Sequence, residues 1–138
     1  MIVADASVIL KWVLSDEGDR KEAFLLRERH LSGEDPIAAP ELIFYEIANV
    51  LPMRWPDEHK VGELFQEICR EEIKRIPFGI SQFVHSIHLA RRYDISGYDA
   101  AYVALAEQLR CRFVTADERL LHRLKGAGHA VHLREIGR

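Results

Sequence analysis

The chain has 138 residues, 48% of them hydrophobic, and a formal net charge of −3. That length and apolar content suit one domain, residues 1–138, around a single core, and exclude a disordered chain. The slight acidity argues against coating nucleic acid by bulk positive charge, though not against a local grip.

No apolar run approaches the roughly 20 residues that span a bilayer, so no membrane association is expected. No signal peptide is expected either, because Asp5 falls where its apolar segment would begin. Cys69 and Cys111 lie far apart and outside any Cys-x-x-Cys pair, which suits a reducing cytoplasm.

Ile2-Val3-Ala4 reads as a buried strand. Asp5 follows, then a short apolar helix to about Leu14 and a second helix from about Asp19 to Leu31. Pro36-Ile37-Ala38-Ala39 is a candidate strand. Pro40 suits the first turn of a helix running to Leu51, which Pro52 and Pro56 interrupt. Asp57 opens a helix with Val61, Leu64, Phe65, Ile68 and Cys69 at i, i+3, i+4, i+7, i+8. Lys74-Arg75-Ile76 is a weak strand before Pro77. Phe83, Val84, Ile87 and Ala90 mark the next helix, and another runs from near Gly97 to Leu109. Cys111 to Thr115 is a strand, Glu118 to Lys125 a helix, and Ala130 to Leu133 a last strand. Alternation of this kind predicts a three-layer α/β/α sandwich with a central parallel sheet and right-handed crossovers.

Four acids stand out against this frame, and each has a purely structural explanation to weigh. Asp5 sits between a strand and a helix, where it can be an N-cap. Asp117 follows a strand in the same way, and Thr115 with Glu118 spells a possible capping box. Ser96 with Asp99 spells another, with Asp99 in a first helical turn that favours negative charge. Glu46 is harder to explain so: it shares a helical face with Leu42, Ile43 and Val50, so it must be paired, protonated or bound to a cation.

In a parallel sheet Asp5 and Asp117 lie past strand ends on one edge, where open α/β sheets bind ligands. Asp99 and Glu46 are placed to converge there. Hard oxygen ligands without Cys or His point to Mg²⁺ or Mn²⁺. His85 and His88, at i, i+3, lack a third ligand nearby in sequence and read as surface residues. Arg91-Arg92 complements a helix dipole. Those two arginines, with Lys11, Arg54, Arg119 and Arg123, are candidate phosphate contacts.

With these residues in view, the chain resembles the PIN-domain ribonucleases, and among them the VapC-type toxins of prokaryotic toxin–antitoxin pairs. Asp5-Ala6-Ser7-Val8, Pro40-Glu41-Leu42 through Glu46 to Leu51, Tyr98-Asp99-Ala100-Ala101-Tyr102 through Ala106, and Thr115-Ala116-Asp117-Glu118-Arg119-Leu120 carry the resemblance, in order and over nearly the whole chain.

The resemblance implies a PIN-like fold and a metal-dependent endoribonuclease with Asp5, Glu46, Asp99 and Asp117 as catalytic acids. Asp5 and Asp99 would be the direct metal ligands, and Ser7 and Thr115 would orient ligands or water from behind. It further implies hydrolysis by water, leaving 5′-phosphate and 3′-hydroxyl ends, a homodimer, and silencing by a cognate antitoxin. Trp12, Leu26 and Trp55 are candidates for partner surface. The prolines at 52 and 56 depart from the family pattern and put the local helical hairpin in doubt. A degenerate module that binds a partner without catalysis is the alternative, against which retention of all four acids speaks.

Overall fold

The β-rich apolar runs become five parallel strands: β1 (Ile2–Ala4), β2 (Ile37–Pro40), β3 (Lys74–Ile76), β4 (Arg112–Thr115) and β5 (Ala130–His132). The structure is a computed structural model that describes residues 1–137. The strands form one sheet in the order β3-β2-β1-β4-β5. Val3 pairs with Ala38 on one side and Phe113 on the other. Seven helices connect and flank the sheet: α1 (Ala6–Ile9), α2 (Arg20–Leu31), α3 (Leu42–Arg54), α4 (Glu58–Arg70), α5 (Ile80–Tyr93), α6 (Gly97–Leu109) and α7 (Glu118–Arg123). This is the expected α/β/α sandwich with an all-parallel sheet.

The chain moves from β1 outward to β2 and β3, then returns past them to β4. The connection therefore reverses between β1 and β4, which makes their C-terminal ends the topological switch point. Strands buried on both faces need continuous apolar runs. Ile2, Val3, Ala4, Ile37, Ala38, Ala39, Phe113 and Val114 supply them, each at most 1% exposed. Helix α6 carries an unbroken buried run from Ala100 to Ala106, packed along β1, β2 and β4. Its Tyr102 ring stacks on Phe113 with centroids 5.9 Å apart.

The proline assignments change in three dimensions. Pro40 ends β2 and does not open a helix. Pro52 does not break α3, which runs through it to Arg54. Pro52 has no amide to give the Ala48 carbonyl, so one main-chain bond is forfeited, and the ladder resumes with the Trp55 amide donating to the Leu51 carbonyl at 3.0 Å. The helix stops at Trp55, whose extended backbone (φ −125, ψ 126) is the conformation that Pro56 imposes on the residue before it. The helix after Asp5 is shorter than expected: α1 passes into a 3₁₀ turn over Leu10–Trp12.

On α5 the helix is where the periodicity placed it, but the buried face differs. Ser86 and Leu89 face inward, while Phe83, Val84 and Ile87 are 58%, 46% and 66% exposed. The expected partner-surface residues shift accordingly. Trp12 and Leu26 belong to the core, the Trp12 indole N–H donating to the Ala23 carbonyl at 2.9 Å, and Trp55 is half-buried against it. Strand β3 forms one sheet edge, with Lys74 and Arg75 exposed and Pro77 directly after it.

Candidate functional site

Asp5 leaves β1 and caps α1, its carboxylate accepting the Ser7 amide at 3.1 Å. The same carboxylate accepts the Ser7 and Thr115 hydroxyls, one on each oxygen, both at 2.5 Å. Thr115 ends β4, the neighbour of β1. The knot closes through the main chain: the Ala116 amide donates to Ser7 Oγ at 3.0 Å, and the Asp117 amide to Thr115 Oγ1 at 3.1 Å. Two adjacent strand ends are thus tied through two hydroxyls and one buried carboxylate. The expected Thr115–Glu118 capping box does not form. Thr115 serves Asp5 and the turn, and Asp117 caps α7 by accepting the Leu120 amide at 3.0 Å.

Glu46 lies on α3 beside the buried stripe of Ile43, Ile47 and Leu51 and is itself half-buried. Its Oε1 accepts the hydroxyl of the fully buried Tyr102 at 2.5 Å, across from α6. In the sequence Tyr102 is legible only as part of a motif; it sits three residues after Asp99, on the same helical face. Asp99 occupies the first turn of α6, with its amide held by the Ser96 hydroxyl at 3.0 Å. One half of the anticipated Ser96–Asp99 cap is therefore present alongside whatever else Asp99 does.

The charges of the four acids are coupled in a chain. Burial pushes Asp5 up to about 7, against the opposing pull of the Ser7 and Thr115 hydroxyls, and the negative charges of Glu46 and Asp99 push the same way. Burial also raises Glu46, which Tyr102 opposes and Asp99 reinforces. Asp99 is raised by burial and by Asp117, with Ser96 opposing. Asp5, Glu46 and Asp99 thus lie within electrostatic reach of one another, and Asp99 links them to Asp117. Exposure is graded along this chain: Asp5 is buried, Glu46 and Asp99 are half-buried, and Asp117 is exposed. A cavity of about 210 Å³ opens at the outer end, lined by Asp99 and Asp117 but not by Asp5 or Glu46.

The donor set is wholly carboxylate oxygen, which in chemistry suits a hard divalent cation. Among the described residues no three His, Cys, Asp or Glu side chains are assembled as a ready metal cage.

Of the other candidates, Lys11 is buried and pairs with Glu17 at 3.5 Å. Arg54 grips Asp16 at 2.6 Å and Glu17 at 3.1 Å. Both cations are thus spoken for. His85 Nε2 meets a Glu107 carboxylate oxygen at 2.5 Å, away from the four acids. Arg119 and Arg123 line the same cavity as Asp99 and Asp117.

A model of the PIN domain family matches residues 2–126. The VapC ribonuclease Mb0985 of Mycobacterium bovis and Ribonuclease VapC9 of Mycobacterium tuberculosis are each 35% identical over 126 residues, covering 87% of this chain and 88% of their own. Among solved structures, a toxin–antitoxin complex from Klebsiella pneumoniae matches with a TM-score of 0.71 at 16% identity, over 96% of this chain and 98% of that one. The sarcin-ricin loop cleaving toxin VapC20 of Mycobacterium tuberculosis matches with a TM-score of 0.66 at 12% identity, over 88% and 94%. The order of the strands, the acids past their ends and the extent of these similarities lead to one conclusion: the chain belongs to the PIN-domain family, among its VapC members.

Proposed function

We propose that the protein is the ribonuclease toxin of a toxin–antitoxin pair, hydrolysing RNA phosphodiester bonds with Mg²⁺ or Mn²⁺ at Asp5, Glu46, Asp99 and Asp117. The observation that supports this reading is that Asp5 and Asp117 follow the adjacent strands β1 and β4 at the switch point of the sheet, with Glu46 tied to α6 through Tyr102, one turn from Asp99. The two relatives named ribonucleases, at 35% identity over most of the chain, support the chemistry.

Asp5 and Asp99 would hold the cation, which supplies positive charge for the phosphate oxygens and lowers the pKa of the attacking water. Ser7 and Thr115 fix the Asp5 carboxylate so that it does not rotate away. Glu46 is anchored through one oxygen by Tyr102, which leaves its other oxygen to accept a proton from water. Asp117, exposed at the outer end, would complete the site.

An antitoxin partner is supported by the likeness to the Klebsiella pneumoniae toxin–antitoxin complex in fold. A homodimer is supported by α5, where Ile80, Phe83 and Ile87 stand 84%, 58% and 66% exposed beside Tyr98 at 71%. An apolar stripe of that kind is uncommon on a lone chain. No described helix is long and apolar enough to cross a membrane.

The test is cleavage of a labelled oligoribonucleotide by purified protein, with Mg²⁺ and with EDTA, beside Asp99→Asn. Cleavage that needs Mg²⁺ and vanishes in the variant bears the reading out. A folded, metal-loaded wild-type protein that cuts no RNA, and whose expression is harmless, returns it to the non-catalytic binding module.

A further inference from the structure

We propose that Arg119 and Arg123 form a phosphate-gripping wall on the Asp117 side of the site, with Asp94 as the residue that holds Arg123 in position. The inference deepens the ribonuclease reading and rests on it for the identity of the ligand, a single-stranded RNA backbone.

Arg119 and Arg123 are four residues apart on α7, so they share one face of that helix. They line a cavity whose other wall includes Asp99 and Asp117. Guanidinium and carboxylate groups in one small cavity ordinarily pair. Here, among the described residues, neither arginine comes within 4.0 Å of either acid, and the ion pair that does form joins Arg123 to Asp94, which lines the same cavity. Its Nη1 donates to Asp94 Oδ2 at 2.6 Å and to the Asp94 carbonyl at 2.8 Å.

Asp94 offers both oxygens because it closes α5 in the left-handed region (φ 52, ψ 52), a conformation that Asp tolerates better than most residues. With the Asp94 side chain 93% exposed, this pair adds little to stability. What it sets is direction. Arg123 is kept off Asp99 and Asp117, which stay available to a cation, while its Nε and Nη2, which the Asp94 pair does not use, and the Arg119 guanidinium stay available to an anion. Arg119 has no ion pair among the described residues and is exposed on that wall. Planar guanidinium groups bind phosphate through paired N–H donors, which lysine cannot reproduce. Lys11 is buried against Glu17, and Arg54 engages Glu17 and Asp16 through both of its terminal nitrogens, whereas Arg123 uses one.

The experiment measures binding of a fluorescent single-stranded oligoribonucleotide in EDTA by anisotropy across a salt series, with steady-state cleavage in Mg²⁺ alongside. The Arg119→Ala/Arg123→Ala double variant should bind at least about tenfold more weakly. Its salt slope should fall by about 0.7 for each phosphate that the variant no longer neutralises. KM should rise while kcat stays within about threefold, and lysine at both positions should restore part of the binding. Asp94→Gly, which suits the left-handed backbone and removes the carboxylate, should raise KM without lowering the melting temperature.

Lys21→Ala/Arg70→Ala, which alters two exposed cations on α2 and α4, controls for bulk charge. If it weakens binding as much as the double variant does, or if the double variant binds with unchanged affinity and slope, the wall is overturned. Should Arg123→Ala unfold, Arg119→Ala carries the binding test alone. The two readings fail separately: loss of cleavage in Asp99→Asn tests the nuclease, while binding in EDTA tests the wall whether or not the wild type cuts.

Discussion

Asp5 and Asp117 occupy the same kind of local position and live in opposite surroundings. Each follows a strand, each has extended backbone, and each caps a helix with its carboxylate. Asp5 is buried and takes three hydrogen bonds, two of them from hydroxyls that tie β1 to β4. Asp117 is exposed and takes one, from its own helix. The inner end of the site is therefore built for fixed geometry at an electrostatic cost, and the outer end for access. A strand–Asp–helix pattern alone does not distinguish them. The neighbouring strand does, because only Asp5 sits at the middle of the sheet with Thr115 beside it.

The largest expected effect lies in the coupling between the two ends. Asp99→Asn should lower cleavage by about 10²- to 10³-fold, as expected when a principal electrostatic stabiliser is lost. Its melting temperature in EDTA should hold or rise, because the Ser96 cap uses the main-chain amide and survives while repulsion from Asp117 is relieved. A drop in melting temperature with intact cleavage would make Asp99 a capping residue only.

The second effect isolates the inner end. Asp5 titrates near 7 in the fold and near 3.8 when unfolded. Below pH 4 both states hold the proton and the difference vanishes. Between about 4 and 7 the unfolded chain releases it first, so stability without divalent cations should fall as pH rises. The loss approaches about 4 kcal/mol if this group acts alone. Glu46 and Asp99, also raised, act in the same direction. Urea unfolding in EDTA at pH 4.5 and pH 8 measures it; stability that rises over that window would contradict the burial of Asp5 as an uncompensated acid.

Tyr102→Phe comes next. Removing the hydroxyl leaves Glu46 half-buried without its donor, for a loss of about 1–3 kcal/mol, and cleavage should fall about 10- to 100-fold. Smallest is the outer cap. Asp117→Ala should cost about 1 kcal/mol in thermal or urea melts, and Asp117→Asn much less, since Asn also caps. Equal losses for both would mean that charge, and not capping, is what Asp117 contributes to stability.

The sheet, the order of the helices and the placement of the four acids are legible in the sequence because strands buried on both faces and acids at their ends leave strong local marks. Glu46 is legible through its apolar neighbours. The role of Tyr102 is not, since it depends on α3 and α6 meeting past the strand ends, which no local pattern encodes. The inward face of α5 escapes sequence reading for a related reason. Periodicity marks an apolar stripe without saying what covers it, and here the stripe of Phe83, Val84 and Ile87 faces outward while Ser86 and Leu89 pack inward. Pro52 misleads because one missing amide does not stop α3, which ends only where Pro56 forces Trp55 into extended backbone.

The edge strand β3 has a consequence for how copies of the protein meet. An open sheet edge is a template for another chain's backbone, and from there for fibres. Lys74 and Arg75 place two exposed positive charges along this edge, and Pro77 removes an amide just past its end. Backbone-to-backbone growth from that side is penalised by repulsion between identical edges and by a missing donor. Any contact between copies is thereby steered away from this edge. A chain made in quantity is protected from templated aggregation at this edge.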